Sequence, residues 1–203
     1  MGRVCFLMSH PPDPRLYRRM LSLQPDHSIE LVYWDRCLPG GAVYRTPDGV
    51  AVHRVRVPAP RGSWAKRTLP LLRFGRVAFR EMKEVRPDAI HCANLDMLAV
   101  GWRYKRLVDP SVKLVYEVAD LPEVTFNRSR RVDKVLLRMG FTLLEKVLCR
   151  DVALLTITSP YFWDDYYYRF IPKHRTLFLP NAPERRIFGE IAPRTAKGTL
   201  TVG

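Results

Sequence analysis

The chain is predicted to fold as an α/β domain, a mostly parallel sheet with helices on both faces. Two observations carry that prediction. Short apolar runs bounded by turn residues recur at Val4–Ser9, Ile29–Trp34, Ala89–Cys92, Lys113–Glu117, Leu154–Thr158 and Thr176–Leu179, as in strands buried on both faces. Stretches with helical spacing lie between most of them, at 14–23, 64–86, 95–107, 130–150 and 160–170, and such alternation is the pattern of a parallel sheet wrapped by helices. A chain of 203 residues that is 47% apolar is long enough to bury a core of this kind.

Taken in order, the first strand runs into "SHPPDPR" (9–15), where Pro14 suits the first position of a helix. Residues 43–57, "VYRTPDGVAVHRVRV", place Pro47-Asp48-Gly49 between two β-branched alternating runs, the signature of an antiparallel hairpin at the edge of the sheet. The strand in "KLVYEVADLPE" (113–123) ends in Glu117, Asp120 and Glu123 within one short turn. The aromatic segment "YFWDDYYYRF" (161–170) reads as a helix that packs in the core and against a neighbouring domain, with stacking on a sugar as the sharper use. After "LPNAPE" the polar tail leads to "GTLTVG" (198–203), the beginning of a strand with no partner. The expected division is therefore one domain over 1–190, then a linker and the start of a further domain over 191–203.

Charge and cysteine content narrow the partner. Lys and Arg number 34 against 20 Asp and Glu, a net charge of +14, which favours phosphates, nucleic acid or an anionic membrane face. Cys5, Cys37, Cys92 and Cys149 are widely spaced, with no CxxC or Cys/His pattern, and read as reduced core thiols in a cytoplasmic protein with no metal site. The apolar run after Met1-Gly2-Arg3 is too short for a signal peptide, and no run reaches the length of a membrane span.

In an open parallel sheet, ligands bind beyond the carboxyl ends of the strands, where the strand order reverses. The residues there are Ser9, His10, Asp13 and Arg15 after the first strand, His91, Asn94 and Asp96 after the Ala89 strand, Asp120 and Glu123 after the Lys113 strand, and Asn181 after the last. Each has a plainer reading beside the functional one. Asp96 and Asp120 suit helix N-caps, His91 suits a satisfied core histidine, and Asp13-Pro14-Arg15 suits a proline-started helix.

Five segments in order, "DPRLYRRMLSL", "RPDAIHCANLDML", "KLVYEVADLPE", "LLEKVLCRDVALLTITSPYF" and "LFLPNAPE", resemble the N-terminal, Rossmann-like domain of retaining GT-B glycosyltransferases of the family-4 type. The resemblance covers about residues 3–188. It implies a two-domain enzyme in which this half binds the acceptor while a C-terminal half holds a nucleotide-sugar as substrate, with no cofactor and no metal. The catalytic residues stay unassigned. His91, Asn94, Asp96, Asp120 and Glu123 match the family's motifs in position, whereas two histidines of those motifs are Ala93 and Ala119 here. Neither methyl can hydrogen-bond, so an unusual acceptor or another group, such as His10, must make up the contact. Pro11-Pro12 replaces the glycines of the first loop, which disfavours a phosphate cradle there.

Residues 54–88 carry ten basic side chains against three acids, interleaved with apolar ones. Trp64, Lys66, Arg67, Arg73, Phe74, Arg76 and Arg80 are the residues expected on an anionic membrane surface, peripheral to its inner face. The same stripe suits a sheet-covering helix with a solvated face. No nucleic-acid signature accompanies it. The expected partners are a sugar or lipid-linked acceptor, an anionic membrane and a donor domain. A non-catalytic Rossmann-like module that binds a partner or a membrane is the alternative. A nicotinamide-dependent oxidoreductase is disfavoured because no G-x-G-x-x-G follows the first strand.

Overall fold

The computed structural model describes residues 1–37, 46–60, 64–118 and 132–180. Seven strands form one sheet: β1 (Gly2–Met8), β2 (His27–Asp35), β3 (Ala51–Arg56), β4 (Ala89–Ala93), β5 (Lys113–Val118), β6 (Val152–Ile157) and β7 (Thr176–Phe178). Their order is β3-β2-β1-β4-β5-β6-β7, and every neighbouring pair is parallel. The helices are α1 (Pro14–Leu23), α2 (Trp64–Val85), α3 (Leu95–Leu107), α4 (Val132–Cys149) and the short α5 (Tyr161–Asp165).

Strand alternation sorts the core into two layers. Val4, Phe6, Met8, Ile29 and Leu31 pack under Leu16 and Met20 of α1. Cys5, Leu7, Val32, Ile90, Cys92, Leu114 and Leu155 point to the other face, where Phe74, Ala78 and Met82 of α2, Met97, Leu98 and Tyr104 of α3 and Leu148 of α4 cover them. At Gly101 an added Cβ would lie 2.7 Å from the Cys92 sulfur, so the missing side chain is what lets α3 pack this closely on β4. The chain turns outward from β1 to β2 and β3, then returns to add β4 on the other side of β1. The reversal of strand order therefore falls between the carboxyl ends of β1 and β4.

Three sequence expectations change. β3 is not the second arm of an antiparallel hairpin; it is an edge strand parallel to β2, with Glu30 opposite Ala51 and Asp35 opposite Arg56. Pro47 to Val50 do form a turn, with Gly49 at φ +83° and the Val50 N–H donating to the Pro47 carbonyl at 3.3 Å. A turn signal marks where a strand begins but not which edge it joins, and the open edge of β2 offers a full row of backbone partners. Phe74, expected on a membrane-facing side, is wholly buried and stacks on Trp34 with centroids 5.5 Å apart. Cys37 is exposed, while Cys5, Cys92 and Cys149 are buried. Burial pushes the Cys5 thiol up to about 12, with the Glu30 charge adding to the effect. The hairpin's first arm at 43–45 and the 191–203 tail lie outside the described residues.

A buried carboxylate ties α4 to the aromatic segment. Glu145 is fully buried; its Oε1 accepts the hydroxyls of Tyr116 at 2.7 Å and Tyr167 at 2.6 Å, and its Oε2 that of Tyr166 at 2.7 Å. No lysine or arginine among the described residues forms a salt bridge with it. Neutral donors alone take the place of water, and Tyr166, Tyr167 and Phe170 meet edge to face around them. Truncation would leave three buried hydroxyls without a shared acceptor, at about 1–3 kcal/mol for each group left unsatisfied. Glu145→Ala should therefore lower unfolding stability by about 3 kcal/mol or more, read by urea denaturation; a loss under about 1 kcal/mol would show the phenols repartnering without it.

Candidate functional site

The carboxyl edge of the sheet carries polar groups on both of its faces. On the α1 side the centre is Glu117, near the end of β5 and 1% exposed. Its Oε2 accepts from His91 Nε2 at 2.7 Å and from Arg19 Nε at 2.8 Å, and Arg15 Nε lies 3.2 Å from Oε1. That last pair is at ion-pair distance without hydrogen-bond alignment, since both atoms lack a hydrogen-bond partner. Arg15 and Arg19 stand four residues apart on α1 and so share one helix face. Burial alone would push the Glu117 carboxyl up; the hydrogen bond and charge of His91 and the charge of Arg19 outweigh it and hold the group at about 2, below its ordinary 4.5. His91 is 5% exposed and stacks on Phe6 at 4.6 Å. Its ring is occupied in the core rather than presented to a ligand.

On the opposite face, a cleft of ≈ 190 Å³ opens at the reversal point, lined by Ser9, His10, Trp34, Arg36, Arg67, Thr68, Leu71 and Asp96. β1 supplies the first two at its carboxyl end, β2 the next two, the first turns of α2 the following three, and α3 Asp96. Burial raises the Asp96 carboxyl despite a hydrogen bond from Ser9, the Met97 N–H and the nearby His10. His10 Nδ1 pairs with the Pro11 carbonyl at 2.8 Å. The cleft thus combines a carboxyl acceptor, a hydroxyl, an imidazole and two guanidinium groups beside the Trp34 ring. That set can hold a polyhydroxylated ligand that also carries negative charge.

His10 and Asp96 come together here, as the sequence suggested. Asp13 is used otherwise: its Oδ1 caps α1 through the Leu16 N–H at 2.9 Å, and its Oδ2 pairs with Arg15 at 3.0 Å. Asn94 precedes α3 at φ 74° without a side-chain cap, and its N–H donates to the Glu117 carbonyl at 3.0 Å. A positive φ on a residue other than glycine is strained backbone, of the kind that gathers at functional edges. Asp120, Glu123 and Asn181 lie outside the described residues. Sequence reasoning passed over Arg19, Trp34, Arg36 and Thr68, and assigned Arg67 to a membrane face. Glu117 was visible as a carboxylate inside an apolar strand, as Glu30 is in β2.

The depressed carboxyl fixes an acid dependence. A group with a lowered folded-state pKa contributes its full stability above the unfolded value and loses it as pH falls towards the folded value. Here the window runs from 4.5 down to about 2. Glu117→Gln should cost roughly 3 kcal/mol at pH 7 and remove most of the stability loss across that window. Urea unfolding at pH 7 and pH 3 checks it; parallel acid profiles for the two proteins would refute the assignment.

Solved structures with the same chain path add a frame to this geometry. Sucrose-phosphate synthase from Thermosynechococcus elongatus superposes with a TM-score of 0.61 at 13% identity, over 89% of this chain and 48% of that one. UDP-N-acetylglucosamine 2-epimerase from Rickettsia bellii does so at 0.54 and 13%, over 87% and 44%. The UDP-GlcNAc 2-epimerase from Neisseria meningitidis, solved with UDP-GlcNAc bound, gives 0.55 and 10%, over 87% and 46%. At such identities the likeness is one of fold, and this chain spans about half the length of these proteins. It matches none of the curated proteins with which it was compared. The family model of the glycosyl transferase 4-like domain matches residues 14–182, from the start of α1 through β7, so the chain belongs to the family-4-like glycosyl transferase domains, with the fold of a GT-B N-terminal half.

Proposed function

We propose that this chain is the acceptor-binding half of a glycosyltransferase that moves a sugar from a nucleotide-sugar, held by a second domain, to an acceptor at an anionic membrane surface. The observation that carries the reading is the cleft at the strand reversal, where Ser9, His10 and Asp96 stand together. In such a sheet this edge is where ligands bind, and a carboxylate there accepts hydrogen bonds from sugar or polyol hydroxyls. Asp120, Glu123 and Asn181 extend the same acceptor edge by resemblance. Glu117, with Arg15, Arg19 and His91, positions that edge from the other face of the sheet and does not touch the acceptor.

Transfer needs donor and acceptor held together, because most of the gain in such a reaction comes from their mutual placement. Residues 1–203 alone are therefore expected to turn over no nucleotide-sugar. The protein joined to a donor domain should transfer sugar, and Asp96→Asn should raise the acceptor KM about tenfold, the worth of one charge-assisted hydrogen bond. Turnover by 1–203 alone would break the division of labour, and inactivity of the two-domain protein towards every nucleotide-sugar would favour a non-catalytic binding module.

The membrane part of the reading rests on the outer face of α2. Lys66, Arg73, Arg76 and Arg80 are exposed there, and Leu69 and Leu72 are each 58% exposed, at helical spacings that put them on one stripe with the arginines. Leu69 and Leu72 take the place expected of Phe74. Among the described residues no helix is long and apolar enough to cross a membrane, so contact through α2 would be superficial. Each basic residue near an anionic surface contributes about 1 kcal/mol. The Arg73→Glu, Arg76→Glu, Arg80→Glu triple variant should lose salt-sensitive sedimentation with phosphatidylglycerol vesicles; unchanged sedimentation would return the stripe to a merely solvated face.

A further inference from the structure

We infer that the cleft between β2 and α2 is an anion subsite, and that the acceptor taken there carries a phosphoester group read by Arg36 and Arg67. The inference rests on the acceptor reading above and specifies the substrate class of the same site. Both arginines line the cleft. Neither forms a salt bridge with a carboxylate among the described residues. Arg67 Nε is buried and has no hydrogen-bond acceptor, a state that native proteins seldom leave uncompensated.

The nearest acid in sequence does not neutralise Arg36. Asp35 is held by Arg54 at 2.6 Å and by Arg56 at 3.5 Å, both from the edge strand β3. β3 therefore draws the carboxylate outward and leaves the Arg36 guanidinium to the cleft. Arg67 and Thr68 sit in the first two turns of α2, whose dipole adds positive potential at that end. Planar guanidinium forks match the oxygens of a phosphate better than any other side chain does.

Among the described residues, the one acid lining the cleft is Asp96, from α3. Its oxygens are engaged by the Ser9 hydroxyl and the Met97 N–H, with His10 close by. The cleft is thus polarised, with arginines from β2 and α2 at one end and hydroxyl-binding groups from β1 and α3 at the other. A sugar or polyol phosphate fits both ends at once, with its hydroxyls on Asp96 and its phosphate on the arginines. A free phosphate ester and the phosphodiester of a lipid headgroup share this chemistry.

Binding is tested by calorimetric titration with a hexose 6-phosphate, the neutral hexose and inorganic phosphate, and by sedimentation with phosphatidylcholine vesicles with and without phosphatidylinositol. Hexose 6-phosphate should bind at least tenfold more tightly than the neutral hexose, and Arg36→Gln or Arg67→Gln should each remove about tenfold of that affinity. Both arginines sit at a cleft rim, and circular dichroism and the melting temperature confirm that the variants fold. Lys113→Gln, exposed at the amino end of β5 and outside both the cleft and the α2 stripe, is the control for simple charge attraction and should leave binding unchanged. Loss confined to the soluble ester assigns a soluble acceptor, and loss of the phosphatidylinositol-dependent sedimentation assigns a headgroup. Equal affinity for hexose and hexose phosphate, or equal losses in Lys113→Gln and the cleft variants, would overturn the inference. Because sugar transfer is measured separately, a transferase that ignores phosphate would defeat only this step.

Discussion

A carboxylate with no access to water needs counter-charges or hydrogen-bond donors in its place, and at Glu117 the cations that supply them organise one whole side of the sheet. Two guanidinium groups and an imidazole converge on it from α1 and β4. The apolar contacts of Leu16 and Met20 would let α1 slide or rotate over β1 and β2, but charged hydrogen bonds are directional and short. Arg15 and Arg19 reach across to a carboxylate on β5 and fix the helix in both respects. Asp13, which caps the same helix and pairs with Arg15, carries that constraint into the loop that holds Ser9 and His10.

Glu145 meets the same difficulty in the opposite way. Three phenols surround it, and the group lies deep in the core without a counter-ion among the described residues. The phenols answer in turn: burial and the adjacent charge raise the hydroxyls of Tyr116 and Tyr167 well above their ordinary range, so they remain donors. A neutral shell suits a purely architectural joint between helix and aromatic segment. Cations close to solvent suit the edge where ligands arrive.

The parallel core was legible because strands buried on both faces leave continuous apolar runs, and β1, β4, β5 and β6 were placed within one or two residues. The partner of β3 was not, because a single strand carries the same alternation whichever edge it joins. In α2 the spacing showed an amphipathic helix, yet which apolar residues turned inward depended on the docking of that helix: Phe74 went under it, and Leu69 and Leu72 stayed outside. The Glu117 cluster hid because its members are 98 residues apart in the case of Arg19; only the i, i+4 arginines and the odd carboxylate in a strand hinted at it. The cleft arginines were harder still. Arg36 follows a strand, Arg67 opens a basic helix, and nothing in the sequence pairs them.

The motif that this chain resembles has a histidine where Ala93 stands, and the structure places that position in the core. Ala93 is 3% exposed and belongs to the small core under α1. On a strand its side chain shares a face with His91, which is already committed to Glu117. Among the described residues, the α1 side of the edge is therefore filled by apolar side chains and by the ion-pair cluster around Glu117. Polar groups that remain open lie across the sheet, at Ser9, His10 and Asp96, beside the arginines. Two alanines in place of histidines need not mean that recognition is gone. On the acceptor reading proposed above, the opposite face of the same strand ends carries it.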